Sequence, residues 1–454
     1  MKINDDGTDE IREAWGRNKG NKCIDTSVTT KELYENIEKF EHMQNLKPLI
    51  LSMKMFGLYH STVFKMSTSR SSDTSDGDEL HGKESPTRSW SPSRVYSLVV
   101  SFILLLNTGR MLTMFRKDVE LGAFLYMRIL VFAWIIACTA QSFLCYLAFG
   151  RSDRMLALLK SDDDLPLEEL NIPRCPKYLK KRAVIYTVIA WICIIFNVCY
   201  YGYEIFIHKS QDAILLTPYE PKETNEMSDV VIRLTFFIIY MYLSAAWTLP
   251  SVFYFIACLS VWLRFKHFNN VITQAITHDK RINETLESFR QCHLRICACT
   301  EHASKMFSVY NTVNIMVYSC NSILILYVIL WYTADTFSRI VQAFWVISCL
   351  VTLGVIAMGG GMLNQEAHES LDVLHSVKYS KDDRFFEYSM TMFLSKLKVS
   401  PIGLSVSGIF VIDKSFVFSI VGILVTYFIL LVQFKPSDVN IPNGICNCTE
   451  TICS

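Results

Sequence analysis

At 454 residues, 51% of them apolar and only 19% charged, the chain is too hydrophobic for an ordinary soluble globule of its size, and a membrane protein is expected. A formal charge of +1 leaves no overall basic field of the kind nucleic-acid binding needs, so DNA and RNA are excluded as partners. The 15 cysteines are too scattered for a disulfide scaffold; Cys138, Cys145, Cys193, Cys199, Cys258, Cys320 and Cys349 lie inside apolar runs and read as small buried hydrophobes.

The chain opens on MKINDDGTDEIREAWGRNKGNK, polar throughout and without the apolar core of a cleavable signal, so the first hydrophobic span is expected to act as its own insertion signal. Residues 1–94 are read as a cytoplasmic N-terminal region. Within it, about 44–62 mixes apolar residues with Lys47, Lys54 and His60. That is a poor match to a hydrocarbon core about 30 Å thick and suits an interfacial or re-entrant helix. The Ser-rich run at 67–93 has almost nothing to bury and is expected to be disordered.

Apolar segments then follow at about 95–115, 124–149, 183–207, 233–262, 312–334, 340–362 and 404–434. Each has the ~20 residues a helix needs to cross a bilayer, so the fold class is an all-α membrane protein with seven transmembrane helices. The loop after the second span carries Arg151, Arg154, Lys160, Arg174, Lys177, Lys180, Lys181 and Arg182, and the loop after the fourth carries Arg264, Lys266, Lys280, Arg281, Arg290, Arg295 and Lys305. Lys378, Lys381, Arg384, Lys396 and Lys398 follow the sixth. The loop after the third offers only Lys209 and Lys222 beside five acidic residues, Asp212, Glu220, Glu223, Glu226 and Asp229. Positive charge stays inside, which puts the N-terminus in the cytoplasm and the tail, 435–454, outside. Asn447 heads a glycosylation pattern, Asn447-Cys448-Thr449, in that tail. Cys446, Cys448 and Cys453 share the same oxidising side, and which two would pair stays open.

In the last span Ser419, Thr426 and Gln433 are spaced by seven, with Ser415 and Gly422 on the same side. Positions seven apart on a helix differ by only ~20°, so these residues form one narrow neutral strip in an otherwise apolar helix. An amide facing hydrocarbon would lose its water unreplaced, and Gln433 is therefore expected to face protein or water. Copies arranged about a symmetry axis would turn such strips into a shared lumen. Phe434 would be placed to narrow it, and a lining without fixed charge predicts weak selection among cations. A strip of this kind also fits packing against a neighbouring helix, with hydroxyls bonded to their own backbone.

The run Thr426-Tyr427, five apolar residues, then Gln433-Phe434 resembles the C-terminal signature of insect gustatory receptors. The preceding GIFVIDKSFVFSIVGILV is similar to the lead-in to the same final helix. The resemblance implies a homotetrameric ligand-gated cation channel in the plasma membrane of sensory neurons, with related receptors as further possible subunits and the seventh helix lining a central pore. It implies a six-helix ligand-sensing bundle at 95–362 with cytoplasmic helix extensions at about 263–311, an anchor segment at 363–403 and a pore helix at 404–434. Gln433 and Phe434 would form the constriction, Thr426 and Ser419 the lining, and Tyr427 a contact between pore helices. The tastant would be a sugar such as fructose or a bitter compound. Phe428 stands where receptors for common sugars in this family carry an acidic residue, which points away from the main sugar branch.

Polar groups in the outer halves of the spans are the candidates for contacting that tastant. Arg110, Tyr242, Trp331, Tyr332, Asp335 and Gln342 are singled out, within a wider set that includes Arg128, Tyr200, Tyr201, Tyr203, Glu204, Tyr240, Trp247 and Trp345. Aromatic walls with a few polar groups suit a sugar ring or an alkaloid, although Trp and Tyr also gather at membrane interfaces without any ligand. Cys292, His293, Cys297, Cys299 and His302 match no standard zinc spacing, and Glu366 with His368 lacks the paired histidines of a zinc protease helix. No metal, cofactor or enzymatic activity is expected. The rival reading is a seven-transmembrane receptor signalling through G proteins, which would need the opposite topology.

Overall fold

The computed structural model describes residues 46–60, 91–115, 123–150, 177–209, 212–219, 226–279, 286–331, 336–377, 384–399 and 401–433. Phe434, Tyr332, Asp335 and Asn447 lie outside the described residues, as do 67–90 of the Ser-rich run and the tail cysteines; the end of that run, expected to be disordered, instead caps and opens a helix, with the Ser91 side chain accepting from the Arg94 amide. The helices are α1 (Lys47–Met55), α2 (Pro92–Met111), α3 (Ala123–Gly150), α4 (Lys177–Tyr203), the short α5 (Asp212–Leu215), α6 (Glu226–Asp279), α7 (Leu286–Trp331), α8 (Thr336–His375), α9 (Arg384–Val399) and α10 (Lys414–Gln433). A two-residue hairpin, β1 (Ser405–Val406) with β2 (Phe410–Val411), precedes α10.

Among the described residues, seven helices are long and apolar enough to cross a membrane: α2, α3, α4, α6, α7, α8 and α10. The expected count of seven spans holds, but their lengths diverge. The stretches in α6, α7 and α8 run for 50, 46 and 40 residues. At ~1.5 Å per residue these measure about 75, 69 and 60 Å, roughly twice a hydrocarbon core. The surplus packs into a second, protein-lined bundle beyond the spans. There His293 of α7 is fully buried, with its ring centroid 5.7 Å from Phe265, 5.5 Å from Phe268 and 5.2 Å from Phe393, so α6, α7 and α9 meet around one imidazole. Its Nε2 lies 3.3 Å from the Ala367 carbonyl of α8. Asn269 of α6 donates to the Glu366 carbonyl at 2.8 Å, and Arg264 donates to Cys299 Sγ at 2.8 Å.

The end of the bundle at which α2 starts and α3 stops adjoins the basic loops of the sequence and is called the basic end. Toward it sits α1, whose Leu49, Ile50 and Met53 are fully buried against α4 and α6 while Leu51 and Met55 stay exposed. Trp191 Nε1 donates to Ser52 Oγ at 3.0 Å, and Tyr96 OH donates to the Met55 carbonyl at 2.7 Å. These bonds tie α1 to α2 and α4.

The expectation of a helix from 404 is corrected. Residues 405–411 pair as a hairpin because Ser407 (φ 52°) and Gly408 (φ 72°) both occupy the left-handed region, which a helix cannot accommodate. Ser304 and Ser405 exchange a hydroxyl bond of 2.8 Å, Asn311 donates to the Ser405 carbonyl at 3.1 Å, and Asn364 donates to the Ile402 carbonyl at 2.9 Å. The hairpin is thus fastened to both α7 and α8. α10 starts only at Lys414, where Asp413 Oδ1 accepts from the Phe416 amide at 2.8 Å as an N-cap.

Gly360 makes this seat possible. A Cβ placed there would lie 2.7 Å from the Cβ of Ile412, whereas one at Gly354 meets nothing within 4 Å. Gly360→Ala is therefore expected to lower the thermal midpoint of the purified protein by the equivalent of ~1–3 kcal/mol of overpacking. Gly354→Ala, which only improves helix propensity, should leave it unchanged or slightly raised. Size-exclusion monitoring after heating steps distinguishes the two.

Candidate functional site

α10 packs on one side only. Ile420 is its single buried residue, and Phe416, Val417, Leu424, Phe428 and Leu431 are half-buried beside it against α7 and α8. At ~100° per residue, the strip of Ser415, Ser419, Gly422, Thr426 and Gln433 points about 160° away from that packed face. Ser415, Ser419, Gly422, Thr426 and Gln433 are all exposed. In the most apolar 18-residue window of each span, 6% is buried for α10, against 33–50% for the other six, so this helix is seated by one edge alone. Ser419 Oγ donates to the Ser415 carbonyl at 2.9 Å and Thr426 Oγ1 to the Gly422 carbonyl at 2.8 Å. Each hydroxyl oxygen keeps acceptor capacity toward the open side. Large side chains outside the strip are bare as well: Phe418, beside it, is 76% exposed, and Tyr427, on the side of Ile420, 54%.

A second feature lies between the spans, toward the end opposite the basic end. Leu130, Val131 and Trp134 of α3, Tyr201 of α4, Trp247 of α6, Asn321 and Ile325 of α7, and Trp345 and Cys349 of α8 enclose a cavity of about 30 Å³. The walls are aromatic in series. Tyr201 stacks on Tyr240 at 4.6 Å and on Trp134 at 5.6 Å, Trp134 meets Trp247 edge-on at 6.4 Å, and Tyr200 meets Trp345 edge-on at 5.3 Å. Polar bonds hold three helices in register around it: Trp345 Nε1 donates to Asn197 Oδ1 at 3.0 Å, and Asn197 Nδ2 donates to Ser244 Oγ at 2.8 Å.

Two buried acceptors stand out against this order. Asn321 Oδ1, on the cavity wall, and Gln342 Oε1 have no hydrogen-bond partner among the described residues, and their side chains are 1% and 3% exposed. Gln342 precedes Trp345 and Cys349 by three and seven residues, which puts all three on one face of α8. An orphaned buried amide oxygen costs free energy unless a donor arrives; Asn321 offers one on the chamber wall, suited to a hydroxyl or amine of a small molecule, and Gln342 offers another a turn from Trp345.

The singled-out residues divide. Gln342 belongs to the chamber's face of α8. Arg110 is occupied otherwise: its guanidinium donates to the carbonyls of Thr217 and Leu215 and to Asn107 Oδ1, and lies 4.2 Å over the Phe236 ring. With Tyr240 OH donating to the same Leu215 carbonyl at 3.2 Å, it clamps residues 212–219, whose Ile214, Leu215 and Leu216 are buried. Tyr242, expected in the outer half of its span, instead shares a 2.9 Å hydroxyl bond with Tyr96 and meets Phe56 edge-on at 5.5 Å, toward the basic end. A 54-residue α6 carries position 242 deeper than a span starting at 233 would. Trp331 closes α7, six residues beyond Ile325 of the chamber wall. Trp134 and Asn321 were not anticipated; Asn321, a lone amide in an apolar stretch, carries the usual signal of an intramembrane polar group.

The class defined by these features is a seven-span membrane receptor with an enclosed aromatic chamber and one loosely seated terminal helix. The sequence matches the 7tm chemosensory receptor family over residues 78–438, and the chain belongs to that family. No curated protein matches it. The fold is similar to that of the insect olfactory receptor OR5 from Machilis hrabei in complex with eugenol, with a TM-score of 0.62 and 14% identity, covering 88% of this chain and 100% of that one. A second structure of the same receptor gives a TM-score of 0.61 at 14% identity, covering 87% and 100%.

Asn321→Leu tests the chamber without knowledge of a ligand. Replacing an unsatisfied buried amide by an apolar side chain of similar size should raise the thermal midpoint, by the equivalent of ~1–3 kcal/mol. A lowered midpoint in a calorimetric or fluorescence melt would mean that the amide is a structural element instead.

Proposed function

We propose that this chain is a gustatory receptor of its family: a ligand-gated, weakly selective cation channel in the plasma membrane of sensory neurons, opened by a small tastant from outside. The observation that carries the reading is the strip of Ser419, Thr426 and Gln433 turned away from the only face by which α10 packs. In lipid that strip would be costly, whereas four copies about an axis would face their strips to a shared aqueous path. The N-terminus is inside and the tail outside in this reading, Gln433 and Phe434 form the constriction, and Tyr427 meets the neighbouring pore helix.

The eugenol-bound relative supports a small-molecule ligand for this chain as well. The tastant, a fructose-like sugar or a bitter compound, would occupy the chamber bounded by Trp134, Tyr201, Trp247 and Trp345, with Asn321 and Gln342 accepting its donors. At about 30 Å³ the chamber has room for water alone. Pockets for organic ligands are ~300 Å³ or more, so a tastant must select an expanded state and shift the population toward it. α8 links the two sites: Trp345 and Cys349 line the chamber, and Gly360, about 16 Å along the same helix, carries the seat of α10. Expansion displaces α8, and α10 moves with its anchored base. Residues 212–219, held by Arg110, cover the outer side.

The test is aqueous labelling in cells expressing the full chain, during exposure to a panel of sugars and plant alkaloids. Cysteines introduced at Ser419 and Thr426 should react with a charged thiol reagent and alter the current, while those at Ile420 and Leu424 stay inert. Equal reactivity at all four positions would refute the pore assignment.

A further inference from the structure

A second, larger space lies outside the chamber. α4, α6 and α8 part to leave a cleft of about 560 Å³, open sideways past the exposed Ile189, Ile347 and Val351. Trp247 lines both spaces and is the wall between them. From Trp247 and Phe344 the cleft runs toward the basic end, to Tyr186 and Phe255, whose rings meet edge-on at 4.9 Å.

Three observations identify its occupant. First, the cleft follows α8 from Phe344 to Val355, about 16 Å along the helix, close to the ~15 Å depth of hydrocarbon in one leaflet. Second, its lining is mostly apolar, and Thr248, Ser251 and Thr352 each donate their proton to the carbonyl one turn back, at 2.9, 3.2 and 2.9 Å, so a sugar would find few donors there. Third, one turn below Tyr186 the sequence turns basic. Lys180 and Lys181 are exposed, and Arg182 Nη1 reaches the Tyr186 hydroxyl at 3.5 Å. Arg182 alone of the three shares the cleft's face of α4, and Lys180 and Lys181 add charge from the flanking faces of the same turn. A hydrocarbon slot one leaflet deep with a guanidinium at its foot and two more cations in that turn is complementary to one kind of molecule.

We propose that this cleft binds an anionic glycerophospholipid of the surrounding bilayer, with an acyl chain between α4, α6 and α8, its phosphate against Arg182, and its net charge held in the field of Lys180 and Lys181. The lipid fills the space behind Trp247 and thereby supports the chamber wall from the membrane side. The proposal does not rest on the channel reading, since its readout is binding.

The experiment uses the purified full chain in phosphatidylcholine nanodiscs doped with phosphatidylserine or phosphatidylcholine carrying a photoreactive diazirine on one acyl chain, followed by peptide mapping. The serine probe should label peptides covering 186–193, 247–255 and 344–355 more than the choline probe does, by about fivefold for each basic residue engaged. Val252→Trp with Val351→Trp should remove that labelling and spare α2 and α3. Lys180→Ala, Lys181→Ala and Arg182→Ala together, which leave the cleft intact, should reduce the serine probe to the level of the choline probe. Equal labelling of the unaltered protein by both probes, serine labelling that persists in the triple variant, or labelling unaffected by the two tryptophans would each overturn the proposal.

Discussion

The arrangement depends on a close approach of backbone to side chain at Gly360, where Ile412 occupies the space a Cβ would need. That contact, with the Asp413 cap and the bonds from Ser304, Asn311 and Asn364, fastens the start of α10 to α7 and α8. Once its base is held, α10 leaves the protomer along one apolar edge centred on Ile420. Its hydroxyls and amide are left on the outside, about 160° from that edge. In the proposed channel, the water that these groups need comes from the symmetry axis.

The same economy of contact bears on α8, which the proposed function gives a part in both sites. To the chamber it presents Trp345 and Cys349, and farther along it presents consecutive glycines, Gly359, Gly360 and Gly361. Ordinary packed helices resist sliding because their side chains interlock. Here the contact with the terminal helix is backbone-close and narrow, so in the proposed mechanism a shift of α8 would carry the base of α10 with little side-chain rearrangement in between. The long extensions of α6, α7 and α8, gathered about His293 and the rings of Phe265, Phe268 and Phe393, give the moving parts a fixed base.

Much of the site was legible in the chain and some of it was not. The strip on α10 follows from a spacing of seven, and its polarity needs no partner to be recognised. Arg110 and Tyr242 were recognisable as unusual, but their partners lie 105 and 146 residues away in sequence, Leu215 for one and Tyr96 for the other. One proves to be a clamp on a loop and the other a joint with α1. Asn321 carried a readable signal, a lone amide among apolar neighbours, whereas Trp134 looked like any interfacial aromatic until four other helices closed around it.

The sequence by itself determined the number of spans, because twenty apolar residues in a row have few other fates, and it determined which residues of the last helix share a face, because helical periodicity is local. Only the tertiary structure decided which way that face points, where α10 begins and which side chains enclose the chamber. Those outcomes depend on the hairpin at 405–411 docking on α7 and on a glycine admitting Ile412. Contacts between residues far apart in the chain leave no periodic trace along it.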